Sequence, residues 1–221
     1  MRFRWEIWCL LVAMLFGNSG AVVAESDQSA SDAATTGWRD LFDGKSLDGW
    51  QSTGDATWEV AGGEIRTAGG KPGFLMTNRE FADFVLQVEF RAAADTNSGV
   101  FLRSVLEPTD PTKDCYELNI APRENPFPTG SLVARLKSPG ILAISDSTQF
   151  RLNAPKPLRV WDGQWHSFEV RAVGGKFAVS CDGDLVLEYN DPTPIGRGHI
   201  GLQSNQGAVA FRGVRIHELP R

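Results

Sequence analysis

Short runs of alternating apolar and polar residues recur along the chain. In residues 84–91 every second side chain is large and apolar, and this set is Phe84, Leu86, Val88 and Phe90. Successive side chains of a β-strand point to opposite faces, so the pattern predicts a strand with one buried face. Similar runs predict strands at 57–60, 64–67, 73–77, 84–92, 99–105, 115–120, 131–136, 165–173, 176–181, 185–189, 198–204 and 208–217.

The residues between these runs favour antiparallel pairing. Gly62-Gly63, Gly174-Gly175 and Asp182-Gly183 each separate two predicted strands, and tight hairpin turns favour glycine because they need positive φ. Apolar residues at helical spacing are almost absent. The sequence therefore predicts an all-β fold in which two antiparallel sheets pack together.

The start of the chain has the features of a secretory signal peptide. Arg2 and Arg4 precede an apolar run at 7–16, and the small-residue stretch 21–24 offers a cleavage site. A run of about ten residues is shorter than the about 20 that a membrane span needs, although a signal anchor is the alternative. We expect residues 1–24 to be removed, 25–37 to be a flexible linker, and 38–221 to form one domain. The mature protein is expected in the periplasm or outside the cell.

Charge and cysteine content narrow the choice of partners. The formal net charge is −5, and the basic residues are dispersed along the chain. Nucleic-acid-binding proteins concentrate Lys and Arg on one face, so we expect no nucleic-acid partner and, after signal cleavage, no membrane partner. Cys115 and Cys181 lie outside the signal peptide. An exported compartment permits a disulfide between them, and two buried thiols are the alternative.

The predicted strand at 115–120 has one apolar and one polar face. Tyr116, Leu118 and Ile120 fall on one face, whereas Glu117 and Asn119 fall on the other. Residues two apart along a strand lie roughly 6 to 7 Å apart, a spacing that suits the hydroxyl groups of one sugar ring. Proline-containing segments at 107–114 and 121–130 flank this strand, and we expect them to close a cleft together with 146–164.

Eight segments occur in an order that resembles the 3-keto-disaccharide hydrolase family, formerly DUF1080. They are 41–50 (LFDGKSLDGW), 58–60 with 63–65, 84–91, 97–103 (NSGVFLR), Tyr116-Glu117, 129–132 (TGSL), 200–203 (IGLQ) and 211–216 (FRGVRI). The resemblance runs from about Trp38 to Ile216. It implies a concanavalin A-like jelly roll, export, and cleavage of sugars oxidised at C3, by hydrolysis or by 1,2-elimination followed by hydration.

The chain departs from the family pattern near its proposed site. Many members have Gln and Asp where this chain has Asn119 and Ala121, and many have His or Glu where 204–207 supply uncharged groups. Ordinary glycosidases use two carboxyl groups, and Glu117 has no acidic neighbour on its own strand face. Asp114 or Glu124 from the flanking loops can still supply a second carboxyl group.

A 3-keto sugar needs only one base, because the ketone acidifies the proton on C2. We interpret Glu117 as that base and Arg103 as the cation that stabilises the developing enolate. Alternation predicts that Phe101 and Arg103 share a face. The alternatives are a structural ion pair for Glu117 and a surface cation bonded to a backbone carbonyl for Arg103.

Further residues are candidates for binding the sugar. We expect the set Asn97, Phe101, Asn119, Lys137, Trp161 and Gln203 to contact it, with Trp161 stacking on a sugar face. Asn97 precedes Ser98-Gly99 and is equally well suited to a turn.

No metal or other cofactor is required by these residues. The three histidines are scattered, which argues against a histidine-built metal site, whereas a divalent cation held by oxygen ligands remains open. The leading interpretation is an exported enzyme that cleaves 3-keto-glycosides. The alternative is a noncatalytic carbohydrate-binding or interaction module with the same fold.

Overall fold

The computed structural model describes residues 37–110, 113–122, 125, 127–134, 150–152, 158 and 162–220. The regular elements in these ranges are β-strands: β1 (Trp38–Asp40), β2 (Trp50–Gly54), β3 (Glu59–Ala61), β4 (Glu64–Thr67), β5 (Gly73–Phe81), β6 (Phe84–Ala92), β7 (Ser98–Ser104), β8 (Tyr116–Ile120), β9 (Leu132–Ala134), β10 (Phe150–Leu152), β11 (His166–Val173), β12 (Lys176–Cys181), β13 (Asp184–Asn190), β14 (Gly198–Ser204) and β15 (Val209–Glu218). The described residues contain no helix long and apolar enough to cross a bilayer.

The strands form two antiparallel sheets, as the alternating pattern predicts. The larger sheet has the order β10-β13-β12-β11-β6-β15-β4-β3, with β1 paired to β15. The smaller sheet has the order β2-β5-β14-β7-β8-β9. In this smaller sheet β8 lies between β7 and β9, so the strand that carries Glu117 has a neighbour on each side.

The hydrophobic core lies between the two sheets. From the larger sheet β6 contributes Phe84, Leu86, Val88 and Phe90, each at most 1% exposed. From the smaller sheet β8 contributes Tyr116, Leu118 and Ile120, which are fully buried. Burial of each large apolar side chain stabilises the fold by roughly 1.5 to 3 kcal/mol. Because this core takes every second residue of β8, Glu117 and Asn119 face away from it.

Several strands differ from the prediction: β1, β2 and β10 were not predicted, and β5 is longer than predicted. Strand β5 continues to Phe81, beyond the predicted end at residue 77, although its residues 78–80 are exposed. Its backbone remains paired with β14, through His199 opposite Glu80 and Gly198 opposite Phe81. Strand β2 was not predicted, because 50–54 lacks apolar alternation, and it forms by pairing with β5 at the sheet edge.

The two cysteines form no disulfide. Cys115 and Cys181 are both free and buried. Burial raises the pKa of the Cys181 thiol to about 12, and burial followed by the nearby Glu117 carboxylate raises the pKa of Cys115 well above its usual range. Of the two sequence-based alternatives, the structure has the pair of buried thiols.

Candidate active site

Side chains of the smaller sheet form lines that run across its strands. Two of these lines face outward, and one line between them faces the core. Gly201, Phe101, Glu117 and Val133 pair in register across β14, β7, β8 and β9. Leu202, Val100, Leu118 and Leu132 form the next line and face the core. The line beyond them faces outward again because strands alternate. We call this outward set, which consists of Gln203, Gly99, Asn119 and Ser131, the polar line.

Glu117 places its carboxylate on this outer face. A Cβ atom built on Gly99 would lie 3.0 Å from Cγ and 3.0 Å from Oε1 of Glu117, so the carboxylate leans over the space that glycine leaves open. Within the described part of the chain, the Glu117 side chain has neither a hydrogen bond nor an ion pair. The structural ion pair that the sequence left open for Glu117 is therefore not found among these residues.

Burial without a compensating partner changes the acidity of Glu117. The pKa of its carboxyl rises from an ordinary 4.5 to about 7, and desolvation is the cause. Near neutral pH such a group is divided between its charged and neutral forms, so it can accept or donate a proton. Perturbed carboxyl groups of this kind are concentrated at functional sites.

Arg103 does not lie on the Glu117 face, contrary to the prediction. Its φ angle is +48°, a left-handed conformation that interrupts strand alternation and turns the side chain toward one end of the sandwich. The guanidinium is fully buried and lies over the rings of Phe84 and Phe177, at 5.9 and 5.3 Å from their centroids.

The Arg103 guanidinium links three turns at that end of the sandwich. Its Nε donates to the carbonyl of Ala82 at 2.6 Å, and Nη1 donates to the carbonyls of Gly174 at 2.6 Å and Ile195 at 2.8 Å. Its Nη2 forms an ion pair with Asp83 at 3.0 Å. The sequence alternative for Arg103 was a surface cation bonded to a backbone carbonyl. The carbonyl partners are confirmed, and the surface position is wrong because the side chain is buried.

Asn119 anchors the loop that follows its strand. Its side-chain Nδ2 donates to the carbonyl of Phe127, and its backbone carbonyl accepts from Gly130. The Thr129 hydroxyl bonds the backbone of Ala121 in both directions. The amide that was predicted to bind sugar thus holds the 121–130 loop beside Glu117.

The remaining predicted binding residues divide into four groups. Phe101 lies beside Glu117 but is 3% exposed, and it packs edge-on against Phe74 with ring centroids 4.9 Å apart. Gln203 lies on the polar line. Asn97 forms an isolated β-bridge with Gln206 at the end of the strand that carries Gly99. Lys137 and Trp161 lie outside the described residues.

A second carboxyl group near Glu117 is not evident in the described ranges. Asp114 Oδ2 accepts hydrogen bonds from the backbone and hydroxyl of Thr109 and from the backbone of Asp110, so it is committed to its own loop. Glu124 lies outside these ranges. The described residues also contain no cluster of three or more His, Cys, Asp or Glu suited to a metal ion. Among the described residues, the site therefore has one carboxylate, that of Glu117.

A groove of about 550 Å³ also occurs on the outer face of the larger sheet. Its polar side chains already bond one another: Gln87 donates to Glu169 at 2.6 Å and accepts from Arg215 at 2.7 Å. Gln87 and Glu169 in this groove thus have partners, whereas Glu117 has none among the described residues. The outer face of the smaller sheet is the better candidate for chemistry.

Comparison with known proteins agrees with this geometry. The family model for the 3-keto-alpha-glucoside-1,2-lyase-like domain matches residues 37–217. The chain belongs to this family. Membership in the 3-keto-alpha-glucoside-1,2-lyase-like family indicates a carbohydrate-active function, either glycoside cleavage or carbohydrate binding. No curated protein matches the sequence.

Several solved structures share the fold. A candidate glycosyl hydrolase from Parabacteroides distasonis is 17% identical, with 90% of this chain and 99% of that chain covered and a TM-score of 0.62. A β-glucanase from Bacillus licheniformis is 12% identical, with 83% and 97% covered and a TM-score of 0.53. The CBM66 carbohydrate-binding module of Bacillus subtilis is 18% identical, with 76% and 94% covered and a TM-score of 0.50. These likenesses show a concanavalin A-like jelly roll.

Sequence reasoning missed two residues of the family's candidate site. Gly99 and Ser131 were each interpreted only as part of a predicted strand and of a family segment. A glycine inside a strand is itself a signal for a close approach by another group, and here that group is Glu117. Nothing in the local pattern around Ser131 indicates its place on the polar line, because that position depends on pairing with β8.

Gly99→Ala is expected to lower turnover at least tenfold while changing stability little. The added methyl group would lie 3.0 Å from Oε1 of Glu117 and 3.2 Å from the carbonyl oxygen of Leu118, so the carboxylate must move, and small displacements of a catalytic group cost large rate factors. Rate measurements on a 3-keto-glycoside, combined with urea unfolding, test this.

Gly196→Ala is the matched control, because a Cβ atom at Gly196 has no neighbour within 4 Å. It is expected to leave turnover unchanged. Full turnover in Gly99→Ala would contradict the position assigned to Glu117.

Asn119→Ala is expected to lower the free energy of unfolding by about 1 to 3 kcal/mol, because the Phe127 carbonyl loses its donor. Sugar affinity should fall as well, since the 121–130 loop loses its anchor. Urea unfolding and calorimetric titration with a 3-keto-glycoside measure the two effects. Asn205→Ala on an exposed position should change neither quantity, and an unchanged Asn119→Ala protein would show that the amide has no anchoring role.

Proposed function

We propose that this protein is an exported enzyme that cleaves 3-keto-glycosides, with Glu117 as the base that removes the proton from C2. The observation that carries the proposal is the state of Glu117. It is a partly buried carboxylate with no hydrogen-bond partner among the described residues, a pKa of about 7, and a place on the outer sheet face of a domain from the 3-keto-alpha-glucoside-1,2-lyase-like family. The signal-peptide features of residues 1–24 support export.

The reaction uses the acidity that the C3 ketone gives to the neighbouring C2–H bond. Glu117 takes the C2 proton, and the C–H electron pair moves into an enolate. The enolate re-forms the ketone as the C2 electrons make a C1=C2 double bond, and the bond from C1 to the glycosidic oxygen breaks. The proton held by Glu117 balances the charge on the departing oxygen. Addition of water across C1=C2 then yields the free 3-keto sugar.

One carboxyl group suffices for this sequence of steps, which agrees with the composition of the site. A retaining or inverting glycosidase needs a second carboxyl group, about 5 to 9.5 Å away. Asp114 is held by Thr109 and Asp110. The outward carboxylate of Glu80 lies on β5, three strands from β8, and it pairs with Arg197 at 3.2 Å. A pKa near 7 is also suited to a general base that operates close to neutral pH.

A noncatalytic carbohydrate-binding module is the second candidate. The observation that favours it is the pair Asn119 and Ala121, where many family members have Gln and Asp. The Bacillus subtilis module shows that the same fold occurs in a carbohydrate-binding protein. Under this alternative the outer sheet face binds sugar and Glu117 transfers no proton.

Incubation of the purified protein with a 3-keto-disaccharide, with and without a chelator, separates the two candidates. The enzyme is expected to release the aglycone sugar and a 3-keto monosaccharide, detectable by mass spectrometry, and Glu117→Gln is the inactive control. Binding of the keto-disaccharide without any release of products would establish the binding module instead. Loss of turnover only in the chelated sample would add a divalent cation to the site.

A further inference from the structure

Within the described part of the chain, the smaller sheet has two buried polar groups without a hydrogen-bond partner. They are the side-chain oxygen of Gln203 and the hydroxyl of Ser131. Ser131 is 1% exposed. A buried polar group without a partner costs roughly 1 to 3 kcal/mol of stability, so native proteins retain few of them, and each requires an explanation.

Both orphaned groups lie on the polar line, on the same face as Glu117. Leu202, Val100, Leu118 and Leu132 are paired in register and face the core. Gln203 and Ser131 are each one residue away from this core line, so alternation places both on the outer face. Gln203 lies on β14, and Ser131 directly precedes β9. Strands β7 and β8 lie between β14 and β9, which puts the Cα atoms of Gln203 and Ser131 about 14 Å apart at the usual strand spacing.

Two residues of the polar line, Gly99 and Asn119, lie between them. Gly99 has no side chain, and the Asn119 amide turns to the Phe127 carbonyl. The Glu117 carboxylate leans over Gly99 and therefore lies between the two orphaned groups. A distance of about 14 Å, shortened by the two side chains and two hydrogen bonds, corresponds to about one sugar ring.

We propose that Gln203 and Ser131 hold two hydroxyl groups of one sugar ring across Glu117. This inference rests on the proposed function for the identity of the sugar, and its subject is how the ring is oriented. The Gln203 oxygen accepts a hydrogen bond from one ring hydroxyl, and the Ser131 hydroxyl bonds another. The pair fixes the rotation of the ring over the carboxylate, so that the C2 proton rather than another ring proton meets Glu117.

The test compares stability with binding. Gln203→Met and Ser131→Ala each remove an unsatisfied group, so both variants are expected to raise the melting temperature of the unliganded protein. Both are expected to bind methyl 3-keto-α-glucoside about 5- to 30-fold more weakly, a factor typical of one lost hydrogen bond. Titrations use the Glu117→Gln background, where turnover does not consume the probe.

Gln87→Met and Ser167→Ala are matched controls on the larger sheet. Gln87 bonds Glu169 and Arg215, so Gln87→Met should lower the melting temperature and leave binding unchanged. Deoxy analogues of the probe complete the test. One deoxy analogue should bind the parent protein as weakly as the unmodified probe binds Gln203→Met. The same analogue should bind Gln203→Met no more weakly than it binds the parent.

The outcomes distinguish the orientation from the reaction. Turnover of the keto-glycoside with unchanged binding in Gln203→Met and Ser131→Ala overturns the orientation and leaves the proposed function intact. A second outcome is that the protein binds the unoxidised methyl α-glucoside, that both variants bind it more weakly, and that the keto form is never turned over. The proposed contacts of Gln203 and Ser131 with the sugar, here called the clamp, would then be supported, and the proposed reaction would be wrong. A lowered melting temperature in both variants also overturns the clamp, because it shows that the two groups have partners in the free protein.

Discussion

Glu117→Gln is expected to lower the turnover of a 3-keto-glycoside by about 10² or more while affinity for the keto sugar is largely retained. Glutamine keeps the size of the side chain but has no basic oxygen that can take the C2 proton, and general-base catalysis contributes factors of about 10² to 10⁴. Stopped assays for turnover and calorimetry for binding measure the two quantities separately. A variant as active as the parent protein would remove Glu117 from the reaction.

The pH dependence of turnover gives a second test of Glu117→Gln. The base must be ionised, so parent turnover should rise with pH and reach half of its maximum near pH 7, where Glu117 titrates. Glu117→Gln should lack that step in any residual activity.

The free energy of unfolding should fall over the pH range in which turnover rises. The pKa of Glu117 is about 7 when folded, against an ordinary 4.5, so between these values the folded state binds more protons than the unfolded chain. The free energy of unfolding therefore falls as pH rises from about 4.5 to 7, and then levels off. The total loss is about 3 kcal/mol at most.

Glu117→Gln removes this loss, so at pH 8 the variant should be more stable than the parent and near pH 4 the two should be similar. Urea unfolding across this pH range measures the difference. If the parent were the more stable protein at pH 8, Glu117 would have a stabilising partner, and its assignment as a desolvated base would be wrong.

Arg103→Met is expected to destabilise the fold by about 3 to 5 kcal/mol, which is the usual cost of breaking a buried ion pair from one side. The substitution leaves the carbonyls of Ala82 and Ile195 without their donor and removes the cation from Asp83. For a domain of this size, the melting temperature should fall by roughly 10 °C.

The fraction of Arg103→Met that remains folded should turn over substrate at close to the parent rate, since the guanidinium lies at the end of the sandwich and not on the Glu117 face. Arg79→Met, which removes an exposed ion pair with Glu218, is the control and should cost less than about 1 kcal/mol. A folded Arg103→Met protein with normal stability and greatly reduced turnover would restore the catalytic role that the sequence indicated.

The difference between Glu117 and Arg103 shows how far strand alternation can be trusted. Around Glu117, three large apolar residues at 116, 118 and 120 determine which face is buried, and the position of Glu117 follows. Arg103 is preceded by an equally clear pattern, but its own φ angle is +48°, and the alternation rule assumes extended backbone. A single residue in the left-handed region is invisible in the sequence unless it is glycine or asparagine.

Loop contacts explain the rest of what the sequence did not predict. That Asn119 bonds the carbonyl of Phe127 depends on the path of the 121–130 loop, and the place of Ser131 depends on the register of β9 against β8. Both are set by turns whose geometry involves several residues at once. The two-sheet fold depends only on repeated local patterns, and for that reason it was predictable.

Core-facing and outward-facing residues alternate along β7, β8 and β14, and this alternation determines which positions tolerate substitution. Along most of these strands every second residue supports the core, and Glu117 and Gln203 are among the alternate residues, which lie on the outer face. Positions 117, 131 and 203 can therefore be randomised together without altering a single core contact. Such a library would sample new substrate ranges on an unchanged scaffold, and natural divergence can follow the same route through single substitutions.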